Sequence, residues 1–507
     1  MNPGAQIDVI ANARVAGAGR ELLPLATVDP AAPYDVFLRD GRILDIAPAG
    51  NAKRIGAVLD ADGAWVIPGL WDHHVHTVPW ALEGQRVSLG QARSAAEAAR
   101  LMSDAPTLVD GRRVGTGYRD AFWADAPSLE VLDAATGDVP TYLINADNHS
   151  GWLNSAALRR EGFLSPDGVI REELLFETAR RLSDLDDEVV DAAIDDMARR
   201  AAATGVVGLV DLHMAYSESD WRRRVERGFD LLRVDFAVYT HELDRPIAAG
   251  LRTGDRLPGV DTDLVRMGPY KVITDGSLGA RTAACTHPYP VELPGADPQR
   301  GVLNVSPDDL VAHMTRATAA GLACAVHAIG DVANSIALDA FAATGAVGTI
   351  EHAQLVRHAD IARFARLGVG ASVQPMHAVE DRDLVETIWA AQTAAPYPLR
   401  ALHDAGANLL FGSDAPVSRL DPWAAMAAAV FRRDGERDPW RPEDALDAAT
   451  ALAASTRGGS EDGARILPGE SADLALVAHD PLAADEAQLR GMPVLATMIA
   501  GRLTHLA

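Results

Sequence analysis

The sequence predicts an α/β protein: a (β/α)8 barrel of the TIM type carrying an insertion, with a small β-sandwich formed from both chain termini. Three observations predict it. Buried-strand runs alternate with Ala-rich helical stretches through the middle of the chain, strand-like texture marks both ends, and residues with metal-ligand chemistry recur at strand ends.

At the N-terminal end, Asp8-Val9-Ile10, Asp35 to Leu38 and Arg42 to Ile46 are short β-like runs. Asp40-Gly41, between the last two, is a two-residue hairpin signal. The same texture returns at Asp473 to Val477 and Val494 to Ile499, the latter followed by the turn Gly501-Arg502. Residues 1–65 and 466–507 are therefore expected to form one β domain, and 66–465 the barrel.

The barrel strands are expected at Val66, Val206 to Leu212, Leu232 to Tyr239, Tyr270 to Ile273, Leu322 to Val326, Gly348 to Ile350, Gly368 to Val373 and Leu409 to Phe411. That number is what a closed barrel requires. The interval from about 77 to 203 is too long for one βα unit. It holds an aromatic segment, Tyr118 to Trp123, and a charged helical region, Glu172 to Arg200, and reads as a lid or insertion over the barrel mouth.

Apolar residues make up 48 % of the 507, ample for a large core. The formal charge of −25 argues against nucleic acid or an anionic membrane as partner. Two cysteines, Cys285 and Cys324, are too few for a disulfide framework or a Cys-based zinc site, so any metal must use nitrogen and oxygen ligands. No basic region followed by an apolar core opens the sequence, and no apolar run reaches membrane-spanning length. A cytoplasmic protein acting on a small molecule is expected, with a homodimer among the open assemblies.

The chemistry begins at Pro68-Gly69-Leu70-Trp71-Asp72-His73-His74-Val75-His76. Side chains alternate across a strand, so His74 and His76 share a face while His73 points away. Two imidazoles on one rigid face can hold a metal ion, although such a pair also arises by chance. Later strand ends supply more candidates. Lys271 lies in an apolar strand before Asp275-Gly276-Ser277; His327 follows a small-residue run; His352 follows Ile350-Glu351; and Phe411-Gly412-Ser413 leads to Asp414.

Each of these has a plain structural explanation on its own: a His bonded to a carbonyl, a snorkelling Lys, a helix N-cap. Together, four histidines, an aspartate and a lysine form a ligand set for two borderline divalent cations such as zinc.

The order His-x-His, Lys, His, His, Asp, with a β domain split between the termini, resembles the amidohydrolase superfamily. More narrowly it resembles amidohydrolase family 3, the branch that includes N-substituted formamide deformylases. The matching stretches are Pro68 to His76, Asp275 to Ala283, Val326 to Asp331, Ile350 to Ala353, Gly412 to Val417 and the closing Leu467 to Leu474. The resemblance implies that His74, His76 and Asp414 bind one metal and His327 and His352 a second. Lys271 would be carboxylated and bridge the two ions through its carbamate, with a one-metal site as the fallback.

It also implies metal-assisted hydrolysis, in which the ion lowers the pKa of a bound water from ~15.7 toward ~7 and Asp414 serves as general base and acid. Among family-matched positions, His149 in Asp147-Asn148-His149-Ser150 is a polarising or binding residue. Tyr118, where family members usually carry Trp, together with Gln374, His377 and Arg400, are substrate-side candidates. For Arg400 a solvent-facing helix position is the competing reading. Glu351 is expected to point opposite to His352 and to be structural, and Arg281 to fix its loop.

The function expected is hydrolysis of a non-peptide C–N bond, in an N-formyl or N-acyl amine or a cyclic amide. Two alternatives stay open: an ester or lactone hydrolase using the same site, and a catalytically silent metal-binding protein. The presence of Asp414 argues against the latter.

Overall fold

A computed structural model of the chain describes residues 2–16, 32–83, 86–108, 110–182, 185–290, 299–459 and 465–507. Met1 and 17–31 of the expected N-terminal β segment lie outside the described residues, as do 84, 85, 109, 183 and 184 of the expected insertion.

Eight parallel strands form the central sheet: Leu70–Val75, Val206–Asp211, Arg233–Tyr239, Val265–Ile273, Cys324–Ala328, Gly348–His352, Val369–Val373 and Leu409–Phe411. They pair in chain order from first to eighth. Every residue of the first, fifth and seventh strands is buried, because helices cover the outside and side chains fill the inside. The helices between them begin at side-chain caps where the sequence supplies them. Ser306 accepts from Asp309 N at the start of Pro307–Ala319, and Asp421 caps Pro422–Phe431, each with Pro in the first turn.

The first barrel strand departs from expectation. The run Trp65–Pro68 is a strand of the terminal sheet instead, pairing parallel with Arg14-Val15 and antiparallel with Leu474–Val477. Gly69 separates it from the true barrel strand; a Cβ there would meet the Val207 methyls at 2.4 and 2.5 Å. Trp65–Pro68 is the more apolar of the two, while the barrel strand carries Asp72, His73 and His74, so apolar composition pointed to the wrong run.

Both chain ends build one eight-stranded sheet. Val9–Val15 belongs to both of its halves: its beginning pairs with Tyr34–Arg39 and Val58–Asp60, its end with Trp65–Pro68. Ile10, Val36 and Ile43 from one half meet Val66, Leu476 and Met498 from the other in a core separate from that of the barrel.

Between the first and second barrel strands a five-stranded sheet rises, in the order Val169–Arg171, Ser150–Leu153, Thr141–Asn145, Arg113–Tyr118, Val87–Ser88. The charged stretch from Glu172 divides into two helices with different duties. Glu173–Leu182 packs on this inserted sheet through Leu175 and Leu182, whereas Asp187–Ala202 packs on the barrel through Val190, Ile194 and Met197.

Candidate active site

The barrel closes at its C-terminal rim, where the eighth strand meets the first. His76 N donates to Ala415 O at 2.9 Å and Asp414 N donates to His74 O at 2.7 Å. Asp72 ties the same rim together, its Oδ1 accepting from His74 N at 3.1 Å and Ser413 N at 2.9 Å. Gly412 permits this approach, since a Cβ there would lie 2.7 Å from His74 Cβ and N. His352 and Asp414 both adopt left-handed backbone, with φ of 74° and 59°. Non-glycine residues hold that conformation where surrounding structure fixes it, and such residues concentrate at functional sites.

Here the histidines gather. The rings of His327 and His352 have centroids 4.5 Å apart, His74 and His352 4.9 Å, and His74 and His76 5.5 Å. Asp414 Oδ1 lies 3.4 Å from His74 Nε2 and 3.2 Å from His76 Nε2, while Oδ2 lies 3.9 Å from His377 Nε2. Ligand atoms of His74, His352 and Asp414 all fall within 4.8 Å of one another, a trio that cuts across the two-ion partition the resemblance implies. His73 is excluded, as alternation predicts: its Nδ1 is bonded to Phe411 O and its Nε2 accepts from Gly458 N.

Burial pushes the pKa values of His74, His327 and His352 well down and holds the rings neutral. Neutral imidazole is the ligating form. Burial likewise lowers the pKa of Lys271, against the pull of Glu351 and Asp414. Its Nζ and His352 Nδ1 are buried and have no hydrogen-bond partner among the described residues. An unpartnered buried amine amid neutral imidazoles and a carboxylate suits a metal centre better than a hydrogen-bonded protein core. The residues present fit borderline divalent cations.

Glu351 is the residue that sequence reasoning misjudged. Its Oε2 lies 2.8 Å from His74 Nδ1, which leaves Nε2 to face Asp414. Alternation along the strand suggested that Glu351 and His352 diverge. The left-handed backbone at His352 breaks that alternation, so both side chains reach the site.

The cleft above the rim is lined by both barrel and insertion. His149 lies in it, its ring 5.4 Å from that of His327 and its Nδ1 3.0 Å from Glu172 Oε2. Burial opposes charge on His149, but the carboxylate of Glu172 outweighs it and the pKa is raised to about 9. His377 also lines the cleft, with Nδ1 3.1 Å from Gln354 Nε2. Gln374 lies behind His74, its Nε2 3.5 Å from His74 Nδ1.

Two expected substrate-side residues are displaced. Tyr118 is fully buried in the core of the inserted sheet, its ring 5.4 Å from Trp123, because that sheet buries one face against the helices beneath it. Arg400 is on the exposed face of helix Leu399–Asp404, where it forms an i,i+4 pair with Asp404 at 2.7 Å. Arg281 lies in the loop after the fourth barrel strand with φ 57°. Residues the sequence reading overlooked are Asp72, Gln354 and the cleft-lining Arg119, Asp120, Glu380 and Asp381. Asp72 alone carried a signal, beside the paired histidines.

A closed barrel with a rim of histidines and one aspartate defines a metal-dependent hydrolase of the amidohydrolase superfamily. The profile of the amidohydrolase family (Amidohydro_3) matches residues 57–505, and the chain belongs to that family. It is 25 % identical to the N-substituted formamide deformylase of Arthrobacter pascens, over 93 % of this chain and 94 % of that protein. It is 26 % identical to the Arabidopsis thaliana protein LONG AFTER FAR-RED 3, over 85 % and 80 %. Among solved structures, an uncharacterized metal-dependent hydrolase from Pyrococcus horikoshii superposes with a TM-score of 0.77 at 26 % identity, covering 94 % of this chain and 99 % of that one. Among the described residues, no helix is long and apolar enough to cross a membrane.

Proposed function

We propose that this protein hydrolyses a non-peptide C–N bond in a small molecule, an N-formyl or N-acyl amine or a cyclic amide. The observation that carries the reading is the placement of Asp414. One carboxylate oxygen sits among the imidazoles of His74 and His76, and the other is turned toward His377 on the cleft wall. A single carboxylate so placed can belong to the metal centre and still face a substrate.

His74, His76 and Asp414 would hold one divalent ion and His327 and His352 a second, zinc being the expected element, with a carboxylated Lys271 between them. The neutral amine favoured by burial of Lys271 is the form that adds carbon dioxide. Bound there, the ions supply Lewis acidity, activating a water and polarising a carbonyl.

The protein's own groups do the rest. Asp414 accepts the water proton as the new C–O bond forms, then delivers it to the departing nitrogen as the C–N bond breaks. Glu351 fixes the His74 tautomer so that Nε2 keeps its lone pair. His149, charged by its partnership with Glu172, offers its Nε2–H to the substrate carbonyl oxygen.

The test is turnover of matched N-acyl and O-acyl compounds by protein stripped of metal and then reloaded with zinc or manganese. The reading expects activity that returns with metal and is greater on the amide. Preference for the ester would move the protein to ester or lactone hydrolysis. Metal binding well below one equivalent, with no turnover, would remove it from the enzymes.

A further inference from the structure

The cleft carries an unusual charge. Asp120, Asp147, Glu380 and Asp381 line it, and among the described residues the cations that line it are the guanidinium of Arg119 and the imidazolium of His149. Arg119 reaches only two of the four, Nη2 lying 3.5 Å from Glu380 Oε2 and Nη1 3.7 Å from Asp381 Oδ1. Otherwise the carboxylates are held by neutral donors. Asn145 donates to Asp120 at 2.7 Å, Ser277 to Asp147 at 2.8 Å, Ser418 to Glu380 at 2.8 Å and Tyr397 to Asp381 at 2.8 Å. Burial raises the pKa values of Asp120 and Asp381; the charge of Asp147 raises that of Asp120 further, while His377 and Arg119 pull that of Asp381 part of the way back. Like charges gathered in a partly desolvated wall are costly unless a cation joins them.

A second observation is independent of the carboxylates. Gln354 lines the same cleft and is 3 % exposed, yet its Oε1 has no hydrogen-bond partner among the described residues. His377 Nε2, 5 % exposed at residue level, is likewise without one. A buried acceptor such as Gln354 Oε1 is satisfied by a donor that arrives with a ligand, whereas His377, whose Nδ1 accepts from Gln354 Nε2, presents Nε2 as a donor. Between the polar groups the wall is apolar, formed by Leu278, Ile329, Leu384 and Val417, which suits a short methylene chain.

We propose that the substrate carries, on a short alkyl chain beside the scissile amide, a second group that is positively charged, an ammonium or guanidinium. It would be received by Asp120, Asp147, Glu380 and Asp381, with an N–H donated to Gln354 Oε1. The inference rests on the reading of the cleft as the place of amide hydrolysis and adds the class of substrate.

The test compares N-formyl-1,4-diaminobutane with N-formylpentylamine, which has the same number of heavy atoms and no charge. The proposal expects kcat/KM to favour the cationic compound by about tenfold or more, with the advantage shrinking as salt screens the charge. Asp381→Asn and Asp147→Asn should lower that ratio. Arg119→Gln should raise it, a direction that mere structural damage would not produce. Calorimetric binding of pentylammonium against 1-pentanol gives a readout that needs no turnover. If neither formamide is hydrolysed, the scissile bond is not that of an N-formyl amine and the calorimetry alone decides the cation site. Equal kcat/KM for the two formamides, a ratio indifferent to all three substitutions, or equal binding of pentylammonium and pentanol would overturn the proposal.

Discussion

The backbone N–H of Asp414 donates to the carbonyl oxygen of His74 across 2.7 Å, so one hydrogen bond both helps close the barrel and sets the distance between two candidate ligands. Their side chains meet at 3.4 Å because their main chains are already joined. The site is therefore as rigid as the barrel rim itself.

Substituting Gly412 tests that coupling. A Cβ at this position would press on His74 from 2.7 Å, and the contact is with main chain, which cannot rotate aside. Gly412→Ala should destabilise the protein by about 1–3 kcal/mol. It should also weaken metal retention, because the strain falls on His74. Thermal unfolding and metal content after dialysis would show both losses together; a variant with unchanged melting and full metal would separate closure from the site.

Glu351 should act through His74 rather than on substrate. Replacing it with Gln keeps the shape but removes the carboxylate that lies 2.8 Å from Nδ1. Metal affinity should fall about 10–100-fold, with KM for substrate little changed once metal is saturating. A metal titration of Glu351→Gln that overlays the parent protein would return Glu351 to a purely structural role.

The same residue shows what the sequence could and could not disclose. Runs such as Val206–Asp211 and Val369–Val373 announce themselves because strands buried on both faces carry few polar residues. Histidines at their ends were legible for the same reason, since alternation assigns a direction to each side chain. Alternation fails where the backbone turns left-handed, as at His352, and with it failed the placement of Glu351. Tyr118 and Arg400 were judged from matched positions, not from burial, and burial set one in a core and the other in solvent. The acidic cleft wall was invisible because the inserted sheet contributes Arg119, Asp120 and Asp147 while the barrel contributes Glu380 and Asp381. Nothing in their spacing brings them together.

Lys271 is the position where the proposed function calls for chemistry beyond the sequence. Its buried, unpartnered Nζ should be carboxylated in the loaded protein. Lys271→Ala should lose metal and activity, and a short carboxylic acid added to the variant should restore part of both. Full metal occupancy in the variant without any added acid would refute a bridging carbamate.

Away from the site, Asp35 should govern acid stability of the terminal sheet. It is fully buried; burial opposes its charge, but Arg54 at 2.9 Å and the N–H groups of Asn12 and Gly50 hold its pKa below the ordinary value. A depressed carboxylate stabilises above its unfolded pKa of about 3.9, and that stability is lost as pH falls through the lower folded value. Melting temperatures of the parent and Asp35→Asn should therefore differ most near neutrality and converge in acid. A gap that stays constant from neutral pH to about pH 3 would contradict this.

Asp414→Asn, with metal content and turnover measured on the same preparation, puts the central claim to its most direct test. The substitution preserves size and one coordinating oxygen while removing the proton acceptor. The account predicts a protein that keeps its metal and loses turnover by at least about 100-fold. A variant that hydrolyses its substrate at near the parent rate would contradict it.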